Sequence, residues 1–144
     1  MMGAKKKGRS GAPITIYHFC AAHSVRGILT EGLTKGMTPV QKDGEMRFMQ
    51  RTQWLTADKD PARQSWNTHN LVSYSRTAYR LTISIPYSHR KKLIKATEFI
   101  KALPEENIGL VGDWAGSENW YVYLGIIPAA WIVGYDRMKE DDRR

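Results

Sequence analysis

The stretch Ile14-Thr15-Ile16-Tyr17-His18-Phe19, followed by Ile28-Leu29-Thr30-Glu31-Gly32-Leu33, decides how this chain is read. Ile14, Ile16 and His18 alternate with Thr15, Tyr17 and Phe19, a period of two that predicts a strand with both faces covered. Ser24 stands where an N-cap belongs, ahead of a helix that carries Val25, Ile28 and Leu29 on one face. Gly32 falls at the left-handed position just past its end. Whether this strand-helix unit repeats along the chain separates a regular βαβ fold from other mixtures of strands and helices.

It does not repeat. Residues 34–46, with Gly36, Pro39 and Gly44, read as a long loop, and Gln53-Trp54-Leu55-Thr56 as a short strand. Asp60-Pro61 marks a helix start that runs to Trp66 or beyond, and residues 67–75 are polar and loop-like. Residues 79–85 give the cleanest strand, with Tyr79, Leu81, Ile83 and Ile85 on one face, Arg80, Thr82 and Ser84 on the other, and Pro86 as its stop. Residues 89–102 have helical spacing at Leu93, Ile94 and Phe99 beside a basic face of Arg90, Lys91 and Lys95. Residues 120–124 and 131–135 complete the strands. Five or six strands with two or three short helices predict an α+β domain built on a split, mainly antiparallel sheet.

At 144 residues the chain makes one domain, long enough to bury about 70% of its unfolded surface. The expected boundaries are a disordered basic tail over 1–12, the domain over 13–136 and a frayed charged tail over 137–144, with fraying from Asp136 onward. The basic start lacks the apolar core of a secretory signal, and no apolar run is long enough to span a membrane. One cysteine, Cys20, excludes an internal disulfide framework, and a reducing, cytoplasmic setting is the expectation.

The net charge of +8 is unevenly placed. Lys5, Lys6, Lys7 and Arg9 crowd the start. Residues 61–97 contain no acid but hold Arg63, Arg76, Arg80, Arg90, Lys91, Lys92 and Lys95. Residues 98–119 reverse the sign with Glu98, Glu105, Glu106, Asp113 and Glu118 against Lys101 alone. A basic band suits a phosphate-bearing partner, DNA, RNA or a dinucleotide; a solvated surface is the bland alternative.

Metal motifs are missing: there is no His-x-x-x-His on a helix and no cysteine pair, so no metal is expected. His18, at a strand end, offers a two-nitrogen ring suited to a sugar hydroxyl, or is a satisfied structural group. Cys20 reads as a small buried hydrophobe before it reads as a nucleophile. Glu118, directly before the Trp120 strand, is placed to be desolvated or to meet a cation, or else stands in water. Of the five tryptophans, Trp54, Trp66 and Trp114 are available as a flat wall for a planar ring or as core, while Trp120 and Trp131 suit the core.

Tyr17-His18-Phe19, the helix end Ile28–Leu33, the strand Gln53-Trp54-Leu55-Thr56 and Glu118 before Trp120-Tyr121-Val122-Tyr123 come in an order that resembles the ADP-ribosyltransferase-like superfamily. The likeness is to small bacterial and phage ADP-ribosyltransferases and, more distantly, to tRNA 2′-phosphotransferases, and it extends over residues 14–135. It implies NAD as substrate, with Glu118 and His18 as the catalytic pair. It further implies that His18, Phe19, Trp54, Thr56 and Trp66 line the NAD site, with Trp54 standing where that family usually has Tyr or Ser. Arg63, Arg76, Arg80, Arg90, Lys91 and Lys92 would then meet phosphate or a nucleic-acid acceptor. Two other readings stay open: an RNA 2′-phosphotransferase-like enzyme, and a non-catalytic module that holds nucleic acid or a nucleotide.

Overall fold

The computed structural model describes residues 11–60, 77–103 and 117–138. In chain order its elements are β1 (Ile14–Cys20), α1 (Ala22–Glu31), β2 (Met37–Lys42), β3 (Glu45–Gln50), β4 (Thr52–Thr56), β5 (Tyr79–Ile85), β6 (Leu93–Lys95), α2 (Ala96–Lys101), β7 (Trp120–Leu124) and β8 (Ile132–Arg137). Six strands lie side by side as β6-β7-β4-β1-β5-β8, and β2 and β3 pair apart from them. Every pairing among the described strands is antiparallel. The α+β class and the antiparallel sheet are those predicted from the alternation of apolar residues.

That alternation places the core. Ile16, Leu55, Ile83, Ile85 and Tyr123 project to one face of the sheet, where Leu33 and Ile127 close over them. Trp120 and Val122 project to the other face, where Ala96, Phe99 and Ile100 of α2 cover them. Leu81, Ile83 and Ile85 are fully buried, and each contributes about 1.5–3 kcal/mol through the water it leaves. Gly32 stitches the first face. Its φ of 90° and ψ of −176° belong to glycine, and a Cβ there would sit 2.2 Å from the Ile127 carbonyl oxygen.

Several local expectations are corrected. Residues 34–46 are not a loop but enter a hairpin, because Asp43 and Gly44, at φ 54° and 81°, make the two-residue turn whose twist matches paired strands. The Asp-Gly pair was the available signal. The hairpin's ends meet where the Thr52 N–H donates to the Gly36 carbonyl at 3.2 Å. Helix α1 starts at Ala22, two residues ahead of Ser24: the extended, buried Ala21 is its cap, with no side-chain bond, and its carbonyl already accepts from the Ser24 N–H. Residues 89–102 are not one helix. A 3-10 turn (Tyr87–Lys92) leads into β6, and only then does α2 begin. Leu93 and Ile94 pair with Tyr123 and Val122, where the sheet edge offers both backbone bonds and apolar cover.

At the C-terminal side, Asp136 and Arg137 do not fray: they pair with Arg80 and Tyr79, and the Met138 N–H donates to the Ala78 carbonyl. The helix expected from Pro61 to Trp66 and the loop at 67–75 lie outside the described residues.

Candidate functional site

Strand β1 has a different relation with each neighbour. Against β5 it pairs continuously, from Ile14 with Ile85 to Cys20 with Tyr79. Against β4 the register holds at one pair, Tyr17 with Thr56. The next strand continues that row, since Thr56 pairs with Trp120 of β7. The strands carrying the histidine, the aromatic-Thr motif and the acid are therefore adjacent, joined across Tyr17, Thr56 and Trp120.

His18 follows that row at the short β1–β4 seam. Its Nδ1 lies 2.9 Å from the Trp54 carbonyl oxygen of β4. A carbonyl can only accept, so Nδ1 carries the proton and donates, which leaves Nε2 as an acceptor. The side chain thus satisfies a backbone carbonyl that the short β1–β4 ladder leaves without a strand partner. Desolvation holds the His18 pKa below the usual histidine value, and the bond to Trp54, which favours the cation, offsets only part of that. At neutral pH the ring is uncharged, with one nitrogen anchored and one able to accept from a hydroxyl.

Glu118 lies on a 3-10 turn (Ser117–Asn119) immediately before β7, and the Asn119 carbonyl accepts from the Ala57 N–H at 2.9 Å. Its side chain is exposed, so it meets solvent and not the apolar strand beside it. His18 and Glu118 are two strands apart, about 10 Å across at about 4.8 Å per strand, and under about 10 Å apart along the strands. His18 is one residue past the Tyr17–Thr56–Trp120 row on β1, and Glu118 is two residues ahead of that row on the turn into β7.

The other expected NAD-site residues are brought near, with other evident duties. Phe19 is buried beside Arg80 in the β1–β5 register. The Thr56 hydroxyl accepts from the Asp58 N–H at 3.0 Å and closes the turn after β4. Trp54 shares its face of the sheet with Thr56, opposite to His18 and Leu55. Its indole N–H donates to Thr38 at 2.9 Å, and its ring meets Phe99 edge-on at 6.3 Å. The first contact docks the hairpin, and the second α2, on the sheet. Cys20 is buried, and burial pushes its thiol up to about 11, so it is protonated packing at neutral pH.

Among the described residues, the basic side chains do not form one surface. Arg80 is at the Glu118 end, where it donates to the Lys59 carbonyl and the Asp136 carboxylate at 2.9 and 3.2 Å and lies over the Tyr17 ring. Arg90, Lys91 and Lys92 are at the opposite end, on the turn that follows β5. Arg63, Arg76 and Trp66 lie outside the described residues. Among the described residues no three His, Cys, Asp or Glu side chains group closely enough to hold a metal. No helix among them is long and apolar enough to cross a membrane. Sequence reasoning missed Arg51 and Lys35, which the topology sets at the same end as Arg90–Lys92. Their separation in the chain gave no signal.

No protein-family model, curated protein or solved structure matches this chain.

Proposed function

We propose that this chain is an NAD-dependent ADP-ribosyltransferase whose reaction takes place beside the short seam between β1 and β4, with a nucleic acid as the acceptor class that its charge suits. The observation that carries this reading is the adjacency of β1, β4 and β7, with His18 and Glu118 each within two residues of the row Tyr17–Thr56–Trp120. His18 suits a ribose hydroxyl: Nε2 accepts the hydroxyl proton while Nδ1 is held by the Trp54 carbonyl. Glu118 suits the positive charge that develops at the ribose when its bond to nicotinamide breaks. Nicotinamide leaves with the electron pair, the acceptor oxygen or nitrogen bonds the ribose carbon, and the acceptor gives up its proton. A carboxylate aimed at such a cation is worth about 3 kcal/mol.

The 2′-phosphotransferase reading needs several arginines free for one phosphate, and Arg80 is already engaged by Asp136 and Lys59. The transferase reading is therefore preferred. The test is nicotinamide release from NAD by the purified chain, with and without DNA or RNA, beside Glu118→Gln and His18→Ala. Release that Glu118→Gln abolishes supports the proposal. Absence of NAD binding overturns it and leaves the non-catalytic module.

A further inference from the structure

The two ends of the sheet differ in charge. Asp58 and Asp60 follow β4, Glu118 precedes β7, and Asp136 of β8 pairs with Arg80, which also donates to the Lys59 carbonyl, so carboxylates gather at the end that holds Glu118. At the far end, Arg51 precedes β4, Lys35 adjoins the Gly36 carbonyl that bonds Thr52, and the turn Tyr87–Lys92 presents Arg90, Lys91 and Lys92. All five cations are exposed. Of the described carboxylates, Glu31 adjoins this end, on the last turn of α1; Asp43 and Glu45 belong to the hairpin tip, where Glu45 is taken by Arg47.

Two features draw these cations together. Gly125 links Arg51 to Lys92: its N–H donates to the Arg51 carbonyl at 2.8 Å, and the Lys92 ammonium lies 3.9 Å from where its Cβ would be. Tyr87 links Arg90 to the start of the chain: the guanidinium lies 3.9 Å above its ring, and Gly11 packs so closely against the same ring that a Cβ would stand 2.6 Å from it. Lys5, Lys6, Lys7 and Arg9 directly precede Gly11 in sequence. A second observation singles out Arg51. It has φ 60°, a conformation that glycine or asparagine adopts more readily, yet an arginine is carried there with its side chain in solvent.

We infer that this far end is a docking surface for the phosphate backbone of a nucleic acid, centred on Arg51, Arg90, Lys91 and Lys92 and set apart from Glu118 by the length of β7. The commitment to nucleic acid follows from charge of one sign spread across strand ends and a turn, which fits a row of phosphates better than a single anion. The four residue-to-residue steps from Trp120 to Leu124 cover about 13 Å, about four steps of one nucleic-acid strand. A mononucleotide held at the sheet's other end gains nothing from this surface, whereas an oligonucleotide does. The inference does not depend on transfer chemistry, because binding is measured without NAD.

The test is fluorescence anisotropy with a labelled mixed-sequence oligonucleotide, single-stranded and duplex, across a salt series. The expected result is salt-dependent binding that falls about tenfold in the Lys91→Glu/Lys92→Glu variant at low salt, with a shallower salt slope, while Glu118→Gln binds as the parent does. Arg51→Gly is the second variant: it relaxes the backbone, so the fold is kept, yet it lowers affinity severalfold. Salt-insensitive binding, or affinity unchanged in both variants, overturns the inference. Binding to phosphatidylserine vesicles in place of the oligonucleotide overturns it in favour of a membrane surface.

Discussion

The two edges of β1 invite comparison. On the β5 side, backbone pairing runs from Ile14 to Cys20, and Leu81, Ile83 and Ile85 of β5 are fully buried. On the β4 side, a single paired row is followed by a side chain, His18, that reaches over to a carbonyl. The first edge has stability distributed along a ladder. The second concentrates it in one polar contact, which anchors one imidazole nitrogen and leaves the other as an acceptor. A sheet can hold both because a continuous ladder and a side-chain anchor are assigned to different edges of the same strand.

Four experiments break or sharpen that contrast. The largest expected effect is on the laddered edge: Ile83→Ala costs about 3 kcal/mol in chemical denaturation, as a fully buried aliphatic should. A loss near zero would mean that this edge is not where cohesion resides. Next is the β4 edge, where Glu118→Gln lowers nicotinamide release at least about 100-fold, about 2.7 kcal/mol, with stability unchanged because the side chain is exposed.

The third concerns pH. The folded-state pKa of His18 is depressed, so below about pH 6.5 the unfolded chain takes up a proton that the folded chain resists. The contribution of His18 to stability is therefore complete above that pH and falls as pH drops, by at most about 1.4 kcal/mol per unit. His18→Gln should lose this dependence. Denaturation midpoints of the two proteins at pH 7 and pH 5.5 that move in parallel would show that the ring is not held neutral. The smallest effect is Trp54→Phe, which keeps a ring and loses the N–H to Thr38, for about 1 kcal/mol of stability. NAD affinity should be unaffected; a tenfold loss of affinity at constant stability would reassign the indole to the ligand.

The contrast was partly legible in the sequence. Alternation in Ile14–Phe19 and Tyr79–Ile85 was enough to predict both strands, since period-two burial survives in any antiparallel sheet. The hairpin was concealed by Pro39 and two glycines, although Asp43-Gly44 marked its turn. Residues 89–102 misled because Leu93 and Ile94 satisfy a helical stripe and a sheet edge equally well, and only the presence of β7 decides between them. The site residues were legible as types: histidine at a strand end, acid before a strand. The anchoring of His18 by Trp54 was not, because it depends on how far β1 and β4 remain paired. Nor was the gathering of Arg51 with Lys92, residues that only a crossed strand order brings together.

The hairpin has one more consequence. Its ends are held by a backbone bond between Gly36 and Thr52, and β3 faces solvent along most of its length, with Met46 and Phe48 more than half exposed. Cutting the ribbon back from its tip removes little that the sheet needs, and lengthening it at Asp43-Gly44 adds only loop-closure entropy, about 0.6 kcal/mol for each doubling of length. The ribbon is therefore an insertion port: a reporter peptide or a foreign domain can be carried there while the strands that hold His18 and Glu118 keep their register.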